Sequence, residues 1–284
     1  MEILPFVHPG SSTWSYVVAD TVARRAAIID PALDYDAASG RTGTASAQKL
    51  VDAVRSRGWT LDWILETHAH ADHLSAAQFV KRELGGKVAI GEGIRKVQAT
   101  FKALYNLDAG FKTDGSQFDH LFKDGEHFAI GGLEGRVMAV PGHTSDSVAY
   151  LIGDAVFTGD TLFMPDSGSA RCDFPGGDAG MLYDSILRIL ALPEATRLFM
   201  CHDYGPGGRE RKYETTVGEE RRSNGHVKEG ISRDEYVKMR HERDATLPVP
   251  ALLLPAIQVN IRAGHLPEPE SNGTVYLKIP VDKF

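Results

Sequence analysis

Three imidazoles and one carboxylate fall within six residues in Thr67-His68-Ala69-His70-Ala71-Asp72-His73. Histidine and aspartate bind borderline metals such as zinc and iron, and a tight turn lets residues two apart converge. Three further donors stand alone: His143 in Pro141-Gly142-His143-Thr144, Asp160 in Phe157-Thr158-Gly159-Asp160-Thr161-Leu162, and His202 in Met200-Cys201-His202-Asp203-Tyr204. A single histidine usually has an ordinary structural place. An H-x-H-x-D-H string does not, because burying several polar groups unpaired costs several kcal/mol, so the cluster reads as a metal site. His8, His120, His127, His226, His241 and His265 have no ligand neighbours at useful spacing and read as surface or core residues.

Each donor follows a stretch that reads as a strand. Leu61–Glu66 is a compact apolar run suited to a buried strand, and the histidine string comes straight after it. Gly135–Val140, Ala155–Thr158 and Arg197–Met200 are strands that end just before His143, Asp160 and His202. Functional groups in layered α/β proteins gather at such strand ends, so four separate segments can converge on one place. Further strands are expected at Ser15–Ala19, Ala26–Asp30, Lys87–Ile90, Glu126–Ile130 and Ser147–Ile152. Helices are expected at Ala45–Arg57, at Leu74–Leu84 and from an Asp178 cap to about Leu192. Asp34–Gly43 reads as a polar loop. Asp203–Asp244 holds ten basic and ten acidic residues and reads as solvated helices. The proline-rich last forty residues read as an irregular tail packed on the body. Strands followed by helices in two successive blocks predict an α/β layered fold, with residues 1–205 as the catalytic domain and 206–284 as a helical and irregular elaboration packed on it.

Composition narrows the function. The chain has 284 residues, 42% hydrophobic and 24% charged, which is ordinary for a globular protein. Lys+Arg is 31 against Asp+Glu 38, a net charge of −7, which is poor footing for a nucleic-acid partner. Apolar runs such as Pro250–Ile257 are short and broken by proline, so no membrane partner is expected. No basic segment followed by a long apolar stretch opens the sequence, so no signal peptide is expected. Two cysteines, Cys172 and Cys201, exclude a disulfide framework and favour the cytoplasm. Oligomeric state is not written in the sequence, a homodimer being one option.

The string His68-x-His70-x-Asp72-His73 followed by His143, Asp160 and His202 resembles the metallo-β-lactamase superfamily over about residues 10 to 205. That resemblance implies an αββα sandwich of two mixed sheets with helices outside and metal at one edge. Five motifs are similar to the persulfide dioxygenase (sulfur dioxygenase) family in its bacterial form: the histidine string, Pro141-Gly142-His143-Thr144, Phe157–Leu162, Ala170-Arg171-Cys172-Asp173-Phe174 and Cys201–Tyr204. Thr216-Val217-x-Glu219-Glu220-Arg221 and Asn260-Ile261-Arg262-Ala263-Gly264 extend the likeness toward the C-terminus. The stretch from Asp160 to Arg171 is longer than in human-type members.

The family resemblance implies one Fe(II) held by His68, His143 and Asp160, the two-histidine, one-carboxylate set of non-haem iron oxygenases. It implies oxidation of the terminal sulfur of glutathione persulfide by O2, giving sulfite and glutathione. His70, Asp72, His73 and His202 then become catalytic groups that hydrogen-bond the ligands and bound water. Arg171 is the implied substrate-binding residue, since a guanidinium fork grips a carboxylate; an internal pair with Asp173 is the alternative. Tyr204 is either a hydroxyl donor to substrate near the metal or a buried tyrosine with one partner. Cys172 is either a thiolate favoured by Arg171 or a small packed residue, and Cys201 is expected to point into the core. The same donors fit a second chemistry. In the zinc hydrolases of the superfamily one ion takes His68, His70 and His143, another takes Asp72, His73 and His202, and Asp160 bridges. A two-zinc glutathione thioesterase of the glyoxalase II kind is therefore the competing reading, ahead of a non-catalytic binding module or a nucleic-acid hydrolase.

Overall fold

The computed structural model describes residues 1–283. The chain opens with β1 (Glu2–Val7), β2 (Trp14–Asp20), β3 (Arg25–Ile29), β4 (Ala32–Asp36) and β5 (Arg41–Gly43), then α1 (Ala45–Ser56) and β6 (Thr60–Leu65). Next come β7 (Leu74–Ser75), α2 (Ala77–Leu84), β8 (Lys87–Gly91), α3 (Ile94–Leu104) and β9 (His120–Phe122). The second half adds β10 (His127–Ile130), β11 (Leu133–Ala139), β12 (Val148–Ile152), β13 (Ala155–Phe157), α4 (Ala179–Leu190), β14 (Arg197–Phe199) and β15 (Glu214–Thr216). Three helices close it: α5 (Val217–Ser223), α6 (Arg233–Asp244) and α7 (Leu253–Asn260).

Two six-stranded sheets form, in the orders β1-β2-β3-β6-β8-β9 and β10-β11-β12-β13-β14-β15. Both are mixed: β3, β6, β8 and β9 run parallel beside an antiparallel β1-β2-β3 edge, and only β13–β14 is parallel in the second sheet. Side-chain alternation puts the sheets face to face. From β2 and β3, Tyr16, Val18, Ala27 and Ile29 point into a core shared with Phe128, Val137, Tyr150 and Phe157 of the second sheet. Their neighbours Val17, Ala19, Ala26 and Ile28 point the other way, against Leu50, Val54 and Val80 of α1 and α2 and Ile257 of α7. On the far side, Leu182, Ile186 and Ile189 of α4 cover Met138, Val156 and Leu198. Burying a side chain the size of Ile28 contributes about 1.5–3 kcal/mol, and strands buried on both faces are why these segments read as nearly continuous apolar runs. The αββα class expected from the sequence is the fold observed. Among the described residues no helix is long and apolar enough to cross a membrane.

Four local expectations change. Asp34–Gly43 is not a loop: β4 and β5 pair as a hairpin, and β4 also pairs with β7. Leu74-Ser75 is therefore strand, and the helix begins only at Ala77. The last forty residues are not all irregular, since α7 is a buried helix that tolerates Pro255 because proline lacks only a donor that the first turn leaves unpaired. The charged Asp203–Asp244 stretch is not wholly solvated either: α6 buries Tyr236, Arg240 and Asp244, and the Arg240–Asp244 pair is fully enclosed. As expected, Asp178 caps α4, accepting from Met181 N at 2.7 Å.

Candidate metal centre

The histidine string lies in the connection between β6 and β7, along the edge where β6, β11, β13 and β14 also end. Asp30, at the end of β3, organises it. Its backbone is left-handed (φ +50°), a conformation aspartate tolerates better than most residues. Its carboxylate accepts Thr67 N at 2.7 Å, Thr67 Oγ1 at 2.9 Å and His70 Nε2 at 2.9 Å. Thr67 spends its proton on Asp30, so its hydroxyl oxygen, 3.0 Å from His68 Nδ1, accepts from that nitrogen. His68 thereby carries its proton on Nδ1 and leaves Nε2 bare. His143 is set the same way: its Nδ1 donates to the Arg171 carbonyl at 2.6 Å. Such outer contacts fix tautomer and ring direction in metal-binding histidines. Burial first, and then His70 and His143, hold the His68 pKa well below its ordinary value, which keeps the ring neutral.

Asp160 sits in a tight turn, Gly159–Thr161, straight after β13. Gly159 has φ +54°, and a Cβ there would lie 2.7 Å from Thr67 Oγ1. The turn can bring Asp160 under the histidines only with glycine at that position. Asp160 Oδ2 lies 3.9 Å from His68 Nε2 and 3.6 Å from His143 Nε2, and Oδ1 lies 3.3 Å from His202 Nε2. His68, His143 and Asp160 each bring one donor atom within 4.8 Å of the other two. His68 Nε2 and Asp160 Oδ1 are buried without a hydrogen-bond partner. Orphaned buried donors of these types fit a metal ion and have little other reason to persist.

The remaining members are arranged differently. His70 turns Nε2 to Asp30 and, at 3.5 Å, to Glu66. Burial opposes charge there, but the two carboxylates outweigh it and raise the pKa of His70 well above its ordinary value. Asp72 Oδ2 lies 3.1 Å from His73 Nδ1, accepts from Thr13 Oγ1 at 2.9 Å and lies 3.5 Å from His202 Nε2. Within 4.8 Å His70 groups with Asp72 and His73, and with Asp30 and Glu66; among the described residues it does not join His68 and His143 in such a group. Nor do Asp72, His73 and His202 form one. His70 Nδ1, His73 Nε2 and both nitrogens of His202 lack hydrogen-bond partners.

Arg171 makes the internal pair: Nε and Nη2 donate to the two Asp173 oxygens at 2.6 Å, and Nη1 donates to Pro248 O at 2.6 Å. Tyr204 is not the buried tyrosine of the second alternative. It is 61% exposed, and its ring stacks parallel on His202 at 5.8 Å. Phe163 meets His202 edge-on and Phe174 meets His143 edge-on, giving an aromatic rim. Cys172 is the packed residue, not the thiolate: burial and then the Asp244 carboxylate push its thiol up to about 12. Cys201 does not turn away from the site. Its thiol groups with Asp160 and His202, because β14 ends at Phe199 and strict alternation stops there. Asn260 of α7 was not anticipated. Its Nδ2 donates to the His70 and His73 carbonyls, each at 2.8 Å, and its Oδ1 accepts from Ser75 N at 2.7 Å. The only trace of it in the sequence is its place in the Asn260–Gly264 motif.

Residues 8–202, a span holding the histidine and aspartate donors from His68 to His202, match the sequence profile of the Metallo-beta-lactamase superfamily. The chain belongs to the metallo-beta-lactamase superfamily. Within it, the chain is 51% identical to a probable metallo-hydrolase of Burkholderia pseudomallei over 99% of each protein. It is 55% identical to a beta-lactamase hydrolase-like protein of Agrobacterium fabrum, covering 95% of this chain and spanning 63% of that relative's length. Similarity to the mitochondrial persulfide dioxygenase ETHE1 of Bos taurus is lower, 29% identity over 90% of this chain and 86% of the relative. The crystal structure of ETHE1 from Myxococcus xanthus superposes with a TM-score of 0.73 at 30% identity, covering 93% of this chain and 100% of that one.

Proposed function

We propose that this superfamily member is a persulfide dioxygenase: an oxidoreductase that binds one Fe(II) through His68, His143 and Asp160 and oxidises the terminal sulfur of glutathione persulfide with O2. In the overall reaction one persulfide, one O2 and one water give glutathione, sulfite and two protons. The observation that carries this reading is the grouping of donors. Two histidines and one carboxylate bring donor atoms within 4.8 Å of one another, the donor types that non-haem iron oxygenases use. The likeness to ETHE1 from Myxococcus xanthus supports the same choice. Iron(II), when bound, supplies the redox chemistry that O2 requires and that zinc lacks.

The protein's own side chains do the rest. Thr67 and the Arg171 carbonyl hold His68 and His143 in the tautomer that leaves Nε2 free. His70, Asp72, His73 and His202 orient water and move protons around the ligands. Phe163, Phe174 and Tyr204 form a rim that limits water. Arg171 spends three of its five N–H donors internally, and the remaining two are directed to a glutathione carboxylate. Residues 206–284 are part of the same functional unit through Asn260, and the enzyme works in the cytoplasm. The test is elemental analysis with an oxygen electrode. One iron per chain and oxygen uptake on adding glutathione persulfide are expected. Two zinc per chain, with glutathione thioester cleavage and no oxygen uptake, would replace this reading with the hydrolytic one.

A further inference from the structure

The Arg171–Cys172 peptide is gripped at both ends. Its carbonyl accepts from His143 Nδ1 at 2.6 Å, and its N–H donates to Asp244 Oδ2 at 2.9 Å. His143 belongs to the group with His68 and Asp160. Asp244 is the last residue of α6, 72 positions beyond Cys172 in the chain. One planar amide therefore joins the metal pocket to a helix near the C-terminus. We propose that Asp244 is a positioning residue of the metal centre: by holding this peptide it orients and polarises the carbonyl that fixes His143.

The surrounding backbone shows how dependent this loop is on the C-terminal segment. Residues 168–172 form no helix or strand, so their buried polar groups must find partners elsewhere. Asn224 Nδ2 donates to Gly168 O at 3.1 Å, and His226 Nδ1 accepts from Ser169 N at 3.0 Å. Arg240 Nη1 donates to Ser169 O at 3.1 Å, and the Tyr236 hydroxyl lies 2.8 Å from Ser169 Oγ. Asp244 completes the set at Cys172. Tyr236, Arg240 and Asp244 recur every four residues and so share one face of α6.

Helix stability alone does not ask for such a face. An acid in the last turn meets the negative end of the helix dipole, and arginine before aspartate at this spacing is the weaker order for a helical ion pair. A buried pair is often no better for stability than apolar side chains of the same size. What the carboxylate gains here is two donors: one oxygen takes Arg240 Nη2 and the other takes the Cys172 N–H. A carboxylate on the N–H side of an amide draws electron density toward the amide oxygen. The Arg171 carbonyl then grips the His143 Nδ1–H more firmly, and Nε2 becomes a better metal donor. His68 is backed in the same way, since Asp30 accepts from Thr67 Oγ1 and that oxygen accepts from His68 Nδ1. Each of these two histidines has a neutral group against its ring and a carboxylate behind that group.

The inference rests on the proposed metal role of His143, which the iron and two-zinc readings share, so it is judged apart from the choice of reaction. The experiment titrates each protein with Zn(II) and, without air, with Fe(II) against a chelator. Tm and nitrogen-15 NMR of histidine-labelled, zinc-loaded protein are recorded beside it. Asp244→Asn keeps the shape, but its single amide oxygen cannot serve both Arg240 and Cys172. Arg240→Met combined with Asp244→Leu removes the pair and the hold together, leaving no lone buried charge to unfold the chain. Tyr236→Phe loosens the same loop without touching the Arg171–Cys172 peptide. Metal affinity is expected to fall about tenfold in both Asp244 variants, with faster exchange of the His143 Nδ1–H with water. Tyr236→Phe should lower Tm and leave affinity unchanged. Wild-type affinity in both Asp244 variants, whatever their Tm, would overturn the positioning role; so would an equal loss in Tyr236→Phe, which would mark general loosening. His143→Ala separates the two kinds of failure. If it retains metal, the proposed ligand set falls and the inference with it; if it loses metal while Asp244→Asn does not, only the role of Asp244 falls.

Discussion

The two sides of the metal pocket use the same residue types for different ends. On one side, His68 and His143 each commit a single nitrogen, to Thr67 and to the Arg171 carbonyl, and present the other to Asp160. On the other side, His70 is held by Asp30 and Glu66, while Asp72 and His73 are tied to each other and to Thr13. His70 and His73 keep a free nitrogen too, Nδ1 and Nε2, so the two sides differ in the charge of the outer partner, a hydroxyl and a carbonyl on one and carboxylates on the other. Counting donors in a string treats all of them alike; their outer contacts do not.

The sharpest way to break this comparison is to remove one member from each side. His143→Ala should lose its bound metal and all turnover, measured by metal analysis after gel filtration. Asp72→Ala should keep its iron while kcat falls roughly tenfold to a hundredfold; loss of all iron in that variant would make the second side a ligand set after all. Thr67→Val keeps the shape but takes away both the acceptor for His68 Nδ1 and a donor to Asp30. Metal affinity should drop about tenfold or somewhat more, read by competition with a chelator, at a stability cost of about 1–3 kcal/mol for the buried carboxylate left one donor short. The smallest effect tests the scaffold behind His143. His226 accepts from Ser169 N at 3.0 Å, in the loop that supplies the Arg171 carbonyl, and burial lowers its pKa to about 4 from an ordinary 6.5. Above pH 6.5 the ring is neutral in both the folded and the unfolded chain. As pH falls from 6.5 toward 4 only the unfolded chain takes up the proton, so stability is lost in that window. His226→Gln should flatten the dependence of Tm on pH over the same range.

Much of the site could be read before the fold was seen, for a physical reason. The donors follow strand ends, and strands buried on both faces announce themselves as apolar runs. The partners that decide what each donor does could not be read this way. Asp30 lies 40 residues before His70 and Asn260 lies 190 after it, and neither carries a local signal of its destination. His8 reads as inert because nothing near it in sequence could share a ligand; the hairpin of β4 and β5 brings Asp34 to it. That hairpin is polar and contains glycine, so it lacks the alternation that marks a half-buried strand. In α3, by contrast, Ile94, Val97 and Phe101 do sit at helical spacing, although the helices expected from the sequence do not include this one. Cys201 shows where alternation stops being a guide, since it lies two residues beyond the end of β14.

The staple made by Asn260 has a consequence for how the protein is made. The carbonyls of His70 and His73 are capped by a side chain that emerges from the ribosome only after every metal donor has already been synthesised. A prematurely terminated product would carry the full set of donors yet lack the clasp that shapes their backbone. The backbone of the donor string therefore reaches this shape only once the segment carrying Asn260 has been made.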